Sequence, residues 1–189
     1  MLRHTAVIFA GGRSSRMNQD KALLPFGKHT TLAEYQYRRL LPWFASVYLS
    51  TKEDKFPFAA PLIYDTHPIH SPLVALQSVL THVACEAVFV LSVDMPGVDR
   101  TIIDRLYAQF VTQKPLACVA RSKQGCEPLC GIYHRKALPE INAMIQNDDH
   151  RLRTLLRQLK ATEVECQRSG IFVNLNTPDD YRPYAPSDK

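Results

Sequence analysis

Between Phe9 and Lys21 the chain reads FAGGRSSRMNQDK. Gly11 and Gly12 carry no Cβ, so the backbone can turn sharply there and approach a ligand closely. Successive N–H groups in such a turn can form a nest for an anion. Arg13, Arg16 and Lys21 bring cations to the same stretch, and Ser14 and Ser15 add neutral donors. A Gly-Gly pair alone would be an ordinary surface turn. The whole cluster, directly after an apolar run, favours a polyphosphate site. A Walker A loop does not fit, because Asp20 and Ala22 flank Lys21; that loop needs Gly before the Lys and Ser or Thr after it. The G-x-G-x-x-G dinucleotide fingerprint is absent.

A second chemistry-bearing position is Asp94, in LSVDMP. An aspartate directly after a buried strand is costly unless it faces a cleft or a cation. Carboxylate oxygens suit Mg²⁺, which keeps substrate phosphates and water as its other ligands. The competing role is a turn or a helix cap, and Asp99 competes for that cap. Asp65 also follows an apolar run, in YDTHPIHSPLVAL.

The elements that must position these residues alternate. Apolar runs at HTAVIFA, SVYLS, PLIYD, AVFVLSV, PLACVAR, EPLCGIYH, TEVECQ and IFVNLN predict strands. AVFVLSV is apolar almost throughout, as in a parallel sheet buried on both faces. Helices are expected over TLAEYQYRRLLPWF, SPLVALQSVLTHV, DRTIIDRLYAQF, ALPEINAMIQ and DHRLRTLLRQLK, with a short last one from TPDDY. In the first, Leu32, Tyr35, Leu40 and Phe44 recur near helical spacing while Glu34, Arg38 and Arg39 fall among the polar positions. Ser71 and Pro72 fit the N-cap and first-turn positions of the second. The alternation implies an α/β domain with a mostly parallel sheet. Ligands of such sheets lie beyond the carboxyl ends of the strands, where the unusual residues fall. The chain reads as one domain over 1–183 with a loose tail, 184–189.

The 189 residues suffice for a full core, and 46% of them are hydrophobic. The net charge of +5 suits an anionic partner, but no dense Lys/Arg block with interleaved aromatics points to nucleic acid. No apolar stretch has the length of a membrane span, and MLRHTAVIFAGG does not read as a signal peptide. A cytoplasmic protein is expected. The five cysteines, an odd number, do not form a disulfide framework. Cys126 and Cys130 are close enough to raise zinc, but no second Cys/His pair at zinc-finger spacing accompanies them.

The first stretch resembles the L-A-G-G-x-S-x-R-M-G-x-D-K motif of small-molecule nucleotidyltransferases, most closely the molybdenum cofactor guanylyltransferases. Ala10, Gly11, Gly12, Ser14, Arg16, Met17, Asp20 and Lys21 match; Phe9 replaces the usual Leu and Asn18 a common Gly. LLPFGKHTTL resembles the continuation of that motif, and EPLCGIY a further stretch of the family. FVNLNTPDDY resembles the family's F-x-N-x-N-T-P-E-D-L ending. The resemblance implies a three-layer Rossmann-like nucleotidyltransferase fold and transfer of GMP from GTP to the terminal phosphate of molybdopterin, with release of pyrophosphate. It implies nucleotide contacts at Phe9, Ala10, Gly11, Gly12, Lys21, Ser50, Asp65 and Asp94. Arg16, Lys21 and Asp94 become catalytic, with Asp94 holding Mg²⁺. Asp65 looks like the family aspartate on the nucleotide side, and its carboxylate can accept from the N1–H and N2 amine of guanine. Cytosine lacks that pair.

Asn174 and Asn176 would lie on one side of a strand and suit the heteroatom edge of a pterin, although Asn176 also fits as the cap of the helix opening at Pro178. The family often shows G-P-L-A-G where this chain has Ser71-Pro72-Leu73-Val74-Ala75, so both glycines are replaced. Ser50 stands where relatives contact the base; the short side chain leaves that contact to water or to Lys52. His67 and His70 read as loop residues, since the transfer needs no acid or base beyond a nucleophilic phosphate. The family reading adds transient contact with molybdoenzymes or their chaperones. The alternatives are a cytidylyltransferase of the same cofactor, another small-molecule nucleotidyltransferase, and a non-catalytic nucleotide-binding or adaptor protein.

Overall fold

The computed structural model describes residues 2–11, 20–65, 67, 69, 71–166, 171–172, 175 and 178–184. The strands are β1 (Leu2–Phe9), β2 (Phe44–Thr51), β3 (Leu62–Tyr64), β4 (Ala87–Ser92), β5 (Ala117–Ser122), β6 (Gly125–His134) and β7 (Thr162–Glu165). They form one sheet in the order β3-β2-β1-β4-β6-β5-β7. Its pairs are parallel except those that β6 makes with β4 and β5. The helices are α1 (Leu32–Leu40), α2 (Pro72–His82), α3 (Arg100–Gln113), α4 (Leu138–Gln146), α5 (Leu152–Gln158) and the short α6 (Pro178–Tyr181).

Two apolar clusters make this a three-layer sandwich. One joins Ala6 and Ile8 of β1 to Leu32 and Leu40 of α1 and to Ile103 and Leu106 of α3. The other joins Val7 and Phe9 of β1 to Leu73 and Leu80 of α2, Ile141 of α4 and Leu155 of α5. Strand alternation sends neighbouring β1 residues to opposite layers. The expected central strand is β4: Val88, Phe89, Val90 and Leu91 are all fully buried. Burial of each such side chain contributes about 1.5–3 kcal/mol. Cys126 packs with one cluster and Cys130 with the other, so the two cysteines serve opposite faces of the sheet.

The expected elements hold, with local differences. The helix expected from Thr31 to Phe44 ends at Leu40, and Phe44 opens β2. Pro42 has no N–H to continue the helical ladder. The strand expected over IFVNLN is not found among its described residues: Ile171 and Phe172 lie in a turn, and Leu175 is outside any strand. Ile171 and Leu175 are apolar because they anchor in the first core cluster. The Leu175 N–H donates to the carbonyl of Asp94, not to a sheet neighbour (3.1 Å). Arg182–Tyr184 form a single 3-10 turn, which includes Tyr184, the first residue of the tail expected to be loose.

Candidate active site

The order of strands reverses at β1, since β2 and β3 lie to one side and β4 to the other. A crevice opens at the carboxyl end of such a switch point. Register places Phe9 beside both Ser50 and Ser92, so three strand ends finish level. Backbone bonds tie the segments that follow. Ala10 N–H donates to Ser50 O (2.9 Å), Val93 N–H to Phe9 O (3.1 Å) and Asp65 N–H to Thr51 O (2.9 Å). The result is a cleft of about 560 Å³.

Six of the residues singled out from the sequence line this cleft: Phe9, Gly11, Lys21, Ser50, Asp65 and Asp94. Ala10 does not; it is 1% exposed and belongs to the core. Gly12, Arg16, Asn174, Asn176 and His70 lie outside the described residues. Thr51, Lys52, Ser92, Val93, Ala22 and Leu129 also line the cleft. Leu129 comes from β6; it lies in the EPLCGIY stretch but was not itself singled out. Ser71, Pro72 and Ala75 bring the start of α2 to the same wall, so the two side chains that replace family glycines narrow it.

Asp94 sits in the turn after β4. Its Oδ1 accepts from Ser92 Oγ at 2.6 Å, and its Oδ2 lies 3.4 Å from Lys21 Nζ. The longer separation is loose beside the 2.7–2.9 Å typical of charge-assisted bonds. Asp99, not Asp94, caps α3, accepting from Ile102 N–H at 3.1 Å. The turn carrying Asp94 is braced from α1. Gln36 Nε2 donates to Val93 O at 3.0 Å and Arg39 Nη1 to Pro96 O at 2.8 Å. Arg39 also bonds Gln36 Oε1 and lies over the rings of Tyr35 and Trp43. Arg39 falls among the positions that read as polar in α1, and Gln36, which was not singled out, is fully buried. Burial holds the Arg39 guanidinium below its ordinary pKa.

Lys21 opens a 3-10 turn, Lys21–Leu23, whose cap is Asp20. Asp20 Oδ1 accepts from Ala22 N–H at 3.0 Å, while Oδ2 pairs with Lys55. At the other end of the cleft, Asp65 Oδ1 accepts from His67 N–H (3.2 Å) and Ser78 Oγ (3.4 Å). No bond to its Oδ2 is found among the described residues. Lys52, expected near a base, donates to the carbonyls of His67 and Ile69. Gly11 is open: an added Cβ would meet nothing nearer than Thr51 Cα at 3.6 Å. The fold therefore does not require glycine there, and the close approach it permits is toward the cleft.

Among the described residues lining the Lys21 end of the cleft, a metal would find the carboxylate of Asp94. No group of three or more His, Cys, Asp or Glu able to hold a metal occurs among the described residues. A single carboxylate completed by substrate phosphates is the usual Mg²⁺ arrangement, so these residues fit that ion.

A switch-point cleft with a lysine and an aspartate at one end and a second aspartate at the other defines a nucleotide-dependent transferase. Comparison places it more narrowly: residues 6–164 match the MobA-like NTP transferase domain, and the chain belongs to that family. A molybdenum cofactor guanylyltransferase from Campylobacter jejuni subsp. doylei is 34% identical over 180 residues, covering 94% of this chain and 93% of the relative. The crystal structure of molybdopterin-guanine dinucleotide biosynthesis protein A from Archaeoglobus fulgidus superposes with a TM-score of 0.81 at 20% identity, covering 95% of each chain. Rv0371c from Mycobacterium tuberculosis, in complex with manganese, shares the fold at 18% identity and a TM-score of 0.65, covering 96% of this chain and 97% of its own.

Proposed function

We propose that the chain is a molybdenum cofactor guanylyltransferase that moves GMP from GTP to the terminal phosphate of molybdopterin. The observation that carries this reading is the meeting of Gly11, Lys21, Asp65 and Asp94 on one cleft, in a chain matched over 94% of its length by a relative of that name. A phosphate oxygen of molybdopterin attacks the α-phosphorus of GTP in line. The new bond joins that oxygen to the α-phosphorus, and the bond to the β-phosphate oxygen breaks, releasing pyrophosphate. Positioning and charge neutralisation do most of the catalytic work in such transfers.

Gly11 and Gly12 serve the nucleotide through a bare backbone that allows close approach. Lys21 and Arg16 draw charge from the departing pyrophosphate. Asp94 would hold Mg²⁺, which would supply the positive charge that neutralises phosphate oxygens. Asp65 reads guanine mainly through Oδ2, since Oδ1 already serves the loop. Asn174 and Asn176 steady the pterin. The Leu175 N–H bond to Asp94 O supports this division, because it brings the backbone between the two asparagines beside the cleft.

Each nucleoside triphosphate, offered separately with Mg²⁺ and molybdopterin, tests the reading through pyrophosphate release. GTP is expected to be the productive substrate. A preference for CTP would make the chain a cytidylyltransferase, and no release with any nucleotide would favour a binding-only protein.

A further inference from the structure

Lys55 lies in the loop between β2 and β3 and belongs to none of the motifs discussed above. Its ammonium pairs with Asp20 Oδ2, and the two side chains are only 14% and 23% exposed. The other oxygen of Asp20 caps the turn that begins with Lys21. Lys21 in turn faces Asp94. One line of contacts thus runs from Lys55 through Asp20 and the Lys21 turn to Asp94. Neither Lys55 nor Asp20 lines the cleft.

We propose that Lys55 is a positioning residue: it neutralises Asp20 and fixes the turn that presents Lys21 to the nucleotide. The physical need is clear from charge. Asp20 precedes Lys21 in the chain, beside a cleft built for a polyanion. An uncompensated carboxylate there would repel phosphate and compete for the Lys21 ammonium. Lys55 removes both effects, and it does so from outside the cleft, where it takes no space from substrate. This proposal rests on Lys21 meeting the nucleotide phosphates.

The test is a double-mutant cycle in the full-length protein, reading Mg-GTP affinity by calorimetry and kcat and KM by pyrophosphate release. Lys55→Met should weaken GTP binding and lower kcat/KM by about tenfold, while Lys55→Arg, which keeps the charge, should restore most of the loss. Asp20→Asn keeps the capping oxygen and removes the charge. In that background Lys55→Met should have almost no further effect, because there is no carboxylate left to neutralise. A thermal midpoint within a few degrees of wild type for each variant separates these changes from unfolding. Equal losses from Lys55→Met with and without Asp20→Asn would overturn the proposal, as would no loss in either. Lys21→Ala is measured alongside. If it binds GTP like wild type, the phosphate role of Lys21 falls and the Lys55 proposal falls with it. If it weakens binding while the cycle shows no coupling, only the Lys55 proposal fails.

Discussion

Replacing Asp94 with Asn separates charge from shape at the centre of the site. Asn keeps an oxygen able to accept the 2.6 Å bond from Ser92, and the backbone carbonyl still receives Leu175 N–H. What is lost is the charge facing Lys21 Nζ at 3.4 Å. At an effective dielectric constant near 20, that pair is worth about 5 kcal/mol of gross attraction. Desolvation and side-chain ordering offset most of it, and the net value of such partly solvated pairs is about 1 kcal/mol or less. The thermal midpoint should therefore fall by about 2–4 °C at most for a chain of this size. On the proposed role of Asp94 as the metal-holding carboxylate, turnover should fall far more, by about two to three orders of magnitude. Circular dichroism melting and pyrophosphate release, the latter across a Mg²⁺ titration, measure the two effects on one preparation. Activity within a few-fold of wild type at ordinary Mg²⁺ would refute the metal assignment. A midpoint lowered by 10 °C or so would show that Asp94 mainly supports the fold.

Gly11→Ala should leave the melting temperature nearly unchanged, since the new methyl has ordinary contact distances, and should weaken GTP binding measured by calorimetry. Gln36→Leu strands the carbonyl of Val93 and should cost about 1–3 kcal/mol of stability in a denaturant titration; it should also lower kcat by loosening the turn that carries Asp94. On the proposed guanine contact of Asp65, Asp65→Asn sets a donor amine against the donors of guanine, and the ratio of GTP to CTP efficiency should fall by about one to two decades, read from kcat/KM for each nucleotide.

Much of this site was legible because its residues follow strand ends. The apolar runs locate β1 and β4, and the same runs locate the strand ends after which Gly11 and Asp94 sit. Asp65 was found the same way, after the short β3. Spacing could not reveal residues whose role depends on what packs against them. Gln36 and Arg39 occupy polar positions of α1, and only the three-dimensional fold shows their donors meeting the carbonyls around Asp94. Leu129 reaches the cleft because β6 runs antiparallel beside β4, and an apolar run carries no sign of direction. Lys55 is one charge in a charged loop until its pairing with Asp20 is seen. The apolar residues around Asn174 and Asn176 suggested a strand, whereas Ile171 and Leu175 are core anchors beside the Asp94 turn. Burial explains both patterns equally well at that length.

The central claim is that the α-phosphate of GTP passes to molybdopterin. GTP labelled at the α-phosphate and, in a parallel reaction, at the γ-phosphate tests it directly when each is incubated with the protein, Mg²⁺ and molybdopterin. The α label should appear in the dinucleotide cofactor, and the γ label should appear only in pyrophosphate. Release of the γ label as inorganic phosphate, with no α label in the pterin product, would mean that the protein hydrolyses GTP and does not transfer a guanylyl group.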